Sequence, residues 1–366
     1  MNASASLPTV PFRDVRAGGA LGHAIEAPDQ ARALRDDCLA WFPRSARHLV
    51  PALDAATRRW LRRSASPYLP EIEAIAQTLK FPGIWFLNGS YQWGCTALAR
   101  DDDAPWLVRT LDWPFSGLGR HVEVALMRGA AGEFYNVTWP GFVGALTAMA
   151  PGRFAASVNQ APLKRRTSHP WLRPYDMAAN AVGTWSLRHV PPDHLLRHVF
   201  ETCATFADAK AKLEATPVAR PVIYTLAGCV AGERCVIERT EDTHLTRSDD
   251  TSAANDWLVA RPSWEARVGG NQLFTATPVA GNSVVRRAAL AGWTAPFGNG
   301  FDWVTPPVLN AFTRLAVEMC AAQGILRVVG YETVGGAELP QAVTSARDVR
   351  HQFGSANERD TVAIAS

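Results

Sequence analysis

The chain has 366 residues, of which 47% are hydrophobic and 19% are charged, and its formal net charge is +3. This composition is typical of a globular protein, and the length predicts one large domain with an appendage or two domains. The small net charge gives no argument for nucleic-acid binding. No stretch approaches the roughly 18 apolar residues of a membrane span. The first residues also lack a secretory signal, so we expect a cytoplasmic protein without an integral membrane segment.

The first quarter of the sequence predicts helices. Residues 1–30 are rich in Ala, Gly and Pro and predict a loose start, whereas residues 30–80 have helical spacing. The segment 70–79 places Ile72, Ile75 and Leu79 on one helix face. Pro82-Gly83 then ends the helical pattern.

From Cys95 onward the pattern changes to strands. Residues 95–99 and 106–113, joined by a polar turn, predict a β-hairpin with a longer loop. Strand-like segments follow at 122–127, 134–139 and 153–159, helical spacing returns at 171–215, a second hairpin is predicted at 221–240, a strand at 257–260, and a helix–strand mixture at 283–332. This order predicts an α+β fold in which sheets are sandwiched between helix layers.

Six scattered cysteines form no CxxC pair and have no histidine at zinc-ligand spacing, so we expect neither a disulfide framework nor a metal site. Cys95 is distinctive because it starts a hairpin strand. If the turn centres near Asp102, Cys95 lies opposite about Thr110, within reach of Arg109 and Asp112. A guanidinium beside a thiol favours the thiolate, and a nearby carboxylate can hold an amine. An ordinary cross-strand Arg–Asp pair would have the same spacing.

Several segments, in the same order, resemble one known family. They are YLPEIEAIAQTLKFPGIWFLN, GCTALARDDDAPWLVRTLDWP, TWPGFVGALTAMAPGRFAASVNQ, LLRHVFETCATFADAKAKLEATPVARPVIYTLAG, GERCVIERT and TPPVLNAFTRLAVEM. Together they are similar to the acid ceramidase and N-acylethanolamine-hydrolysing acid amidase family, whose relatives are the bile-salt hydrolases and penicillin V acylases. The resemblance covers about residues 65–330.

The resemblance implies a four-layer αββα sandwich of the N-terminal-nucleophile hydrolase type. It also implies that the chain cuts itself between Gly94 and Cys95. Residues 1–94 would then form a helical N-terminal segment and residues 95–366 the hydrolase domain. Cys95 would attack an amide carbonyl, with its own α-amino group as base. Asp112 would orient that amine, and Arg109 would stabilise the charged sulfur.

The resemblance implies further residues that stabilise the tetrahedral intermediate. The backbone N–H of Gln160 corresponds to one oxyanion donor, with Asn159 shaping the site. Ser263 lies at the position of a second donor that is an asparagine in the family, and Asn255 or Asn271 is an alternative. The late family arginine corresponds to Arg286.

These features predict an autoprocessed cysteine amidase that hydrolyses linear amides of N-acylated amines, with an apolar acyl chain implied by the resemblance. We expect no metal or organic cofactor. The expected partners are a small-molecule substrate and the protein's own cleaved N-terminal fragment, and the sequence leaves a homo-oligomer open. Two alternatives remain. One is an acyltransferase of the isopenicillin-N acyltransferase type, and the other is a non-catalytic protein on the same fold.

Overall fold

The computed structural model describes residues 6–89, 94–265 and 279–353. The helices are α1 (Gly19–Glu26), α2 (Pro28–Ala40), α3 (Val50–Leu61), α4 (Leu69–Leu79), α5 (Ile84–Leu87), α6 (Arg173–Ser186), α7 (Pro192–Thr202), α8 (Phe206–Ala215) and α9 (Val279–Ala291). The strands are β1 (Phe12–Asp14), β2 (Gly94–Asp101), β3 (Pro105–Asp112), β4 (Glu123–Gly129), β5 (Gly132–Thr138), β6 (Thr147–Ala150), β7 (Phe154–Gln160), β8 (Leu163–Lys164), β9 (Val222–Ala227), β10 (Arg234–Arg239), β11 (His244–Arg247), β12 (Ser252–Ala253), β13 (Trp264–Glu265), β14 (Thr313–Cys320), β15 (Ile325–Glu332), β16 (Gln341–Ala342) and β17 (Arg347–Arg350).

Two sheets pack face to face and bury the main core between them. The eight-stranded sheet has the order β1-β4-β5-β6-β7-β9-β10-β11, and the seven-stranded sheet has the order β12-β2-β3-β14-β15-β16, with β17 also paired to β15. Strands β2 and β3 lie against β7 and β9 across the interface. Helices α7 and α8 cover the first sheet and α9 covers the second at β2. This arrangement confirms the predicted αββα sandwich.

The predicted hairpin after Gly94 is confirmed, with a register shifted by one residue. Strands β2 and β3 are antiparallel, and Cys95 lies opposite Leu111 rather than Thr110. The preceding helix is confirmed as α4, in which Ile72, Ile75 and Leu79 are buried. The hairpin therefore places the start of β2 beside the end of β3.

The prediction of a loose start was wrong for its described part. Strand β1 pairs in parallel with β4, and helix α1 follows it. The small side chains of Ala20 and Ala24 are buried and let α1 pack closely against the body. The predicted helical N-terminal segment therefore also contributes a strand to the larger sheet.

The predicted strand at 257–260 was also wrong. These residues form no strand, and Val259 is 67% exposed. Trp257 instead packs on Trp264, with ring centroids 5.7 Å apart, which fixes the segment as a loop. Within residues 6–89, 94–265 and 279–353, no helix has both the length and the apolarity to cross a bilayer.

A buried ionic cluster attaches the N-terminal segment to β4. The Glu123 carboxylate contacts His23 Nε2 at 2.7 Å and Arg13 Nε at 3.1 Å. Burial by itself raises the pKa of Glu123, but the hydrogen bonds from His23 and Arg13 outweigh it, so the pKa is lowered from 4.5. The ionised carboxylate therefore stabilises the folded state above pH 4.5, and this stabilisation is lost as the pH falls through the lowered value.

We expect Glu123→Gln to lower the free energy of unfolding at pH 7 by about 3–5 kcal/mol, because a buried charge pair loses one partner. Thermal unfolding at pH 7 and at pH 4 or below measures the effect. The difference between variant and wild type should shrink toward the acid end. A difference that is the same at both pH values would contradict this role for the carboxylate.

Candidate active site

Cys95 lies at the start of β2 with its side chain fully buried. Arg109 on the paired strand β3 points its Nη2 at the Cys95 Sγ, 2.7 Å away. The same nitrogen donates to the Val158 carbonyl at 3.2 Å, and Nη1 donates to Thr147 Oγ1. Among the described residues, Arg109 forms no ion pair with a carboxylate. The positive charge of this buried guanidinium therefore acts chiefly on the sulfur.

Burial and the neighbouring charges have opposing effects on the pKa of the Cys95 thiol. Burial raises this pKa, the positive charge of Arg109 lowers it, Asp112 raises it and Arg286 lowers it, and the net result is an increase. The thiol is thus protonated in the uncut chain. A nucleophilic role at this position requires a base that takes the thiol proton.

Asp112 lies at the end of β3, opposite Gly94 in the antiparallel ladder. Its carboxylate accepts hydrogen bonds from Thr313 Oγ1 at 3.0 Å and Asn310 Nδ2 at 2.9 Å, and Arg286 Nη1 lies 3.3 Å away. A Cβ atom on Gly94 would lie 3.0 Å from the Asp112 Cβ. The carboxylate is therefore held against the peptide bond that precedes Cys95.

Arg286 is fully buried on α9 and binds the main chain of Cys95. Its Nη1 donates to the Cys95 carbonyl at 2.8 Å and to Thr96 Oγ1 at 2.6 Å, and its Nε donates to Asn282 Oδ1 at 2.7 Å. A surface helix arginine would be exposed, whereas this one fixes the backbone at the start of β2.

Asn255 reaches the backbone nitrogen of Cys95. Its Oδ1 accepts a hydrogen bond from Cys95 N at 3.0 Å and another from Arg286 Nη2 at 2.9 Å. Its Nδ2 donates to the Gln160 carbonyl at 2.9 Å, and its own N–H donates to Ser283 Oγ at 2.7 Å. The side chain therefore links the start of β2 to the end of β7.

Asn159 and Gln160 form the end of β7, close to the same loop. Asn159 is fully buried, its Nδ2 donates to the Ala254 carbonyl at 3.1 Å, and its Oδ1 has no hydrogen-bond partner among the described residues. Gln160 is partly exposed and borders the open groove described below. The structure thus brings Asn159 and Gln160 together with the loop that carries Asn255.

Ser263 is not part of this cluster, and its assignment from sequence needs correction. It is exposed, has a φ of 64° in the left-handed region, and its carbonyl accepts a hydrogen bond from Arg165 N at 2.6 Å, next to the pairing of β8 with β13. The expected strand that was to carry it is absent, so Asn255 replaces it as the candidate. Asn271 lies outside the described residues.

Sequence reasoning missed four residues of the site. Thr147 holds Arg109, Asn310 and Thr313 hold Asp112, and Ser283 holds the Asn255 backbone. Thr313 pairs with Asp112 between β14 and β3. A prediction that β14 lies next to β3 would have identified it, but the sequence pattern does not give sheet order.

The close approach of Gly94 to Asp112 leads to a prediction for the junction. We expect Gly94→Ala to slow cleavage of the 94–95 bond and to lower stability by about 1–3 kcal/mol, because the added methyl overpacks a fixed carboxylate. A time course by intact mass spectrometry measures the cleavage. Gly22→Ala is the matched control, since a Cβ there meets nothing within 4 Å. Equal cleavage rates of the two variants would contradict the crowding argument.

An open groove with a volume of about 630 Å³ borders the site. Trp113, which follows Asp112, and Gln160, which follows Asn159, both line it. Its apolar wall includes Trp41, Phe42, Leu53, Phe86 and Phe115. A second, apolar cavity of about 70 Å³ between the N-terminal helices and the sheets shares Phe42, Phe86, Trp113 and Phe115 with it. The two spaces are therefore adjacent.

No family model matches the chain. An N-acylethanolamine-hydrolyzing acid amidase from Oryctolagus cuniculus is 27% identical over 185 residues, 48% of each chain. A probable acid ceramidase from Caenorhabditis elegans is 24% identical over 222 residues, 55% of this chain and 54% of its own. The chain thus spans about half the length of the curated relatives it matches.

Among solved structures, a Caenorhabditis elegans N-acylethanolamine-hydrolyzing acid amidase ortholog covers 62% of this chain and 93% of its own, with 15% identity and a TM-score of 0.45. Over about half of its length, the chain is thus similar to N-acylethanolamine-hydrolysing acid amidases and acid ceramidases.

Proposed function

We propose that the protein is a cysteine amidase that cuts its own chain at Gly94/Cys95 and then hydrolyses linear amides of apolar acyl groups. The main support for this proposal is the geometry at Cys95. Its Sγ lies 2.7 Å from the buried guanidinium of Arg109, and its backbone nitrogen lies 3.0 Å from Asn255 Oδ1. One residue thus presents a sulfur and a main-chain nitrogen, each with its own polar partner. This pairing supports an N-terminal nucleophile.

Chain cleavage supplies the base that the buried thiol needs. A free α-amino group titrates at about pH 7.7–8.0, so near neutrality a fraction of it can accept a proton. Asp112 and Asn255 hold that amine in place, because both lie against the Gly94–Cys95 junction. Arg286, which binds both of them, keeps the geometry.

The reaction then has two steps. The amine takes the thiol proton, and the thiolate of Cys95 attacks the amide carbonyl to form a tetrahedral intermediate. The C–N bond breaks as the ammonium returns its proton to the leaving amine, which leaves a thioester. Water, deprotonated by the amine, then cleaves the thioester to the free acid and restores the thiol.

The negative oxygen of each intermediate requires hydrogen-bond donors. We assign one to the backbone N–H of Gln160, with Asn159 holding the loop that carries Asn255. The second is the Nδ2 of Asn255, which in the uncut chain donates to the Gln160 carbonyl. Loss of one such donor typically costs about 10²–10³ in rate.

The apolar walls of the groove and of the adjacent cavity support an apolar acyl group. Binding of such a chain removes apolar surface from water, at about 25 cal/mol per Å². The two curated relatives are named for N-acylethanolamine hydrolysis and for ceramidase activity. Substrates of this kind combine a long acyl chain with an amide, which fits the adjoining apolar spaces.

The test is hydrolysis of N-palmitoylethanolamine by the purified, self-cleaved protein. We expect palmitate and ethanolamine in equal amounts, and palmitoyl hydroxamate when hydroxylamine is added to capture the thioester. If transfer to added amines dominates over release of acid even at low amine concentration, the protein is an acyltransferase instead. A folded and fully cleaved sample that releases no acid from any acyl amide would refute the proposal.

A further inference from the structure

The charged side chains that line the groove are mostly cationic. They are Lys164, Arg166 and Arg220 on the positive side and Glu241 on the negative side. Lys164 belongs to β8, where it pairs with Trp264 of β13, and Arg166 follows two residues later. The groove therefore combines an apolar region with a region of positive charge.

Among the described residues, no carboxylate neutralises the charges of Lys164 and Arg166. The neighbouring carboxylate, Asp176, pairs with Arg165 at 2.9 Å, and it meets Arg166 only through the backbone N–H. In the part of the chain that the structure describes, the side chains of Lys164 and Arg166 form no ion pair. Their charges are thus available to a bound anion.

Helix α6 holds the backbone of Lys164 and the side chain of Arg166 in place. Asn180 accepts a hydrogen bond from Arg166 Nη1 at 3.2 Å and donates to the Lys164 carbonyl at 2.9 Å. Both positions are therefore fixed relative to the groove wall. Such anchoring lowers the entropy cost of binding an anion there.

This segment lies near the reacting centre because it continues from the end of β7. The chain from Gln160 to Lys164 spans at most about 14 Å when fully extended. Gln160 lines the groove and touches Asn255, which in turn touches Cys95 N. A substrate whose amide lies at Cys95 can therefore extend its amine portion toward Lys164.

We propose that the amine portion of the preferred substrate carries a carboxylate, so that the protein acts on fatty N-acyl amino acids. The acyl chain occupies the apolar region and the carboxylate pairs with Lys164 and Arg166. This inference rests on the proposed amidase function and specifies its leaving group.

The experiment compares N-palmitoylglycine with N-palmitoylethanolamine, which share the acyl chain and differ in the charge of the amine portion. We expect kcat/KM to be about tenfold or more higher for the glycine amide, since charge-assisted hydrogen bonds are the stronger ones. The gain should appear mainly in KM, because the anion is held equally before and during the reaction. Added salt should reduce the preference.

Variants of Lys164 and Arg166 test directly whether these residues bind the carboxylate. Lys164→Gln combined with Arg166→Gln should bring the ratio of the two kcat/KM values close to one, whereas Arg350→Gln, an exposed arginine on β17, should leave the ratio unchanged. Each single variant should give an intermediate ratio. Hydrolysis of both amides with equal kcat/KM by the wild type would overturn the carboxylate proposal and leave the amidase intact. Hydrolysis of neither would overturn both.

Discussion

Replacement of Cys95 by alanine should leave the chain in one piece and abolish amide hydrolysis. The sulfur is the proposed attacker in both reactions, and no other described cysteine contacts Arg109 or Asn255. Intact mass spectrometry of the purified wild type should show two fragments that meet at Gly94/Cys95. The alanine variant should show only the full-length mass after the same incubation.

Cys229→Ser is the matched control for this experiment. Cys229 is half-buried, and among the described residues its thiol has no hydrogen bond from an arginine, unlike the thiol of Cys95, so no neighbouring cation stabilises a thiolate there. The serine variant should be cut and should hydrolyse amides like the wild type. Amide hydrolysis by the uncut Cys95→Ala protein would exclude the proposed nucleophile.

Replacement of Asp112 by asparagine should impair both stability and catalysis. The carboxylate and Arg286 are both fully buried, so the variant leaves a buried guanidinium without a carboxylate. Loss of one partner of such a pair costs about 3–5 kcal/mol of unfolding free energy. The amine at Cys95 also loses the group that orients it, and we expect kcat to fall by about 10²–10⁴-fold.

Two further variants separate stability from catalysis. Thr313→Val removes one hydrogen bond to the carboxylate but keeps its charge, so it should cost about 1.5–3 kcal/mol and lower kcat less than Asp112→Asn does. Asp348→Asn removes an exposed ion pair with Arg350 and should cost no more than about 1 kcal/mol. Chemical denaturation and steady-state kinetics measure both quantities. A folded Asp112→Asn protein with wild-type kcat would exclude an orienting role.

The residues of the site that lie on one hairpin could be predicted from the sequence. Cys95, Arg109 and Asp112 lie on one hairpin, so their proximity follows from the turn and the strand period. The error of one residue in register came from the turn, because its length was estimated and not known. Helix α4 was equally accessible, since a few buried positions at helical spacing determine its face.

The residues of the site that are distant from Cys95 in the sequence could not be predicted in the same way. Asn255 reaches Cys95 because β12 pairs with β2 at the sheet edge, and a strand of two residues leaves almost no periodic signal. The apolar run at 257–260 resembled a longer strand and directed the assignment to Ser263. Asn310 and Thr313 depend on the pairing of β14 with β3, which a single sequence does not encode locally.

The parallel pairing of β1 with β4 has a consequence for the mature protein. The N-terminal segment also contacts β17, where Arg347 Nε donates to the Val10 carbonyl at 2.7 Å. If the chain is cut at Gly94, the two fragments become a heterodimer joined only by such contacts. Its melting temperature would then depend on protein concentration, whereas that of the uncut precursor would not. Refolding of the cut protein would thus require two fragments to associate, whereas the precursor folds as a single chain.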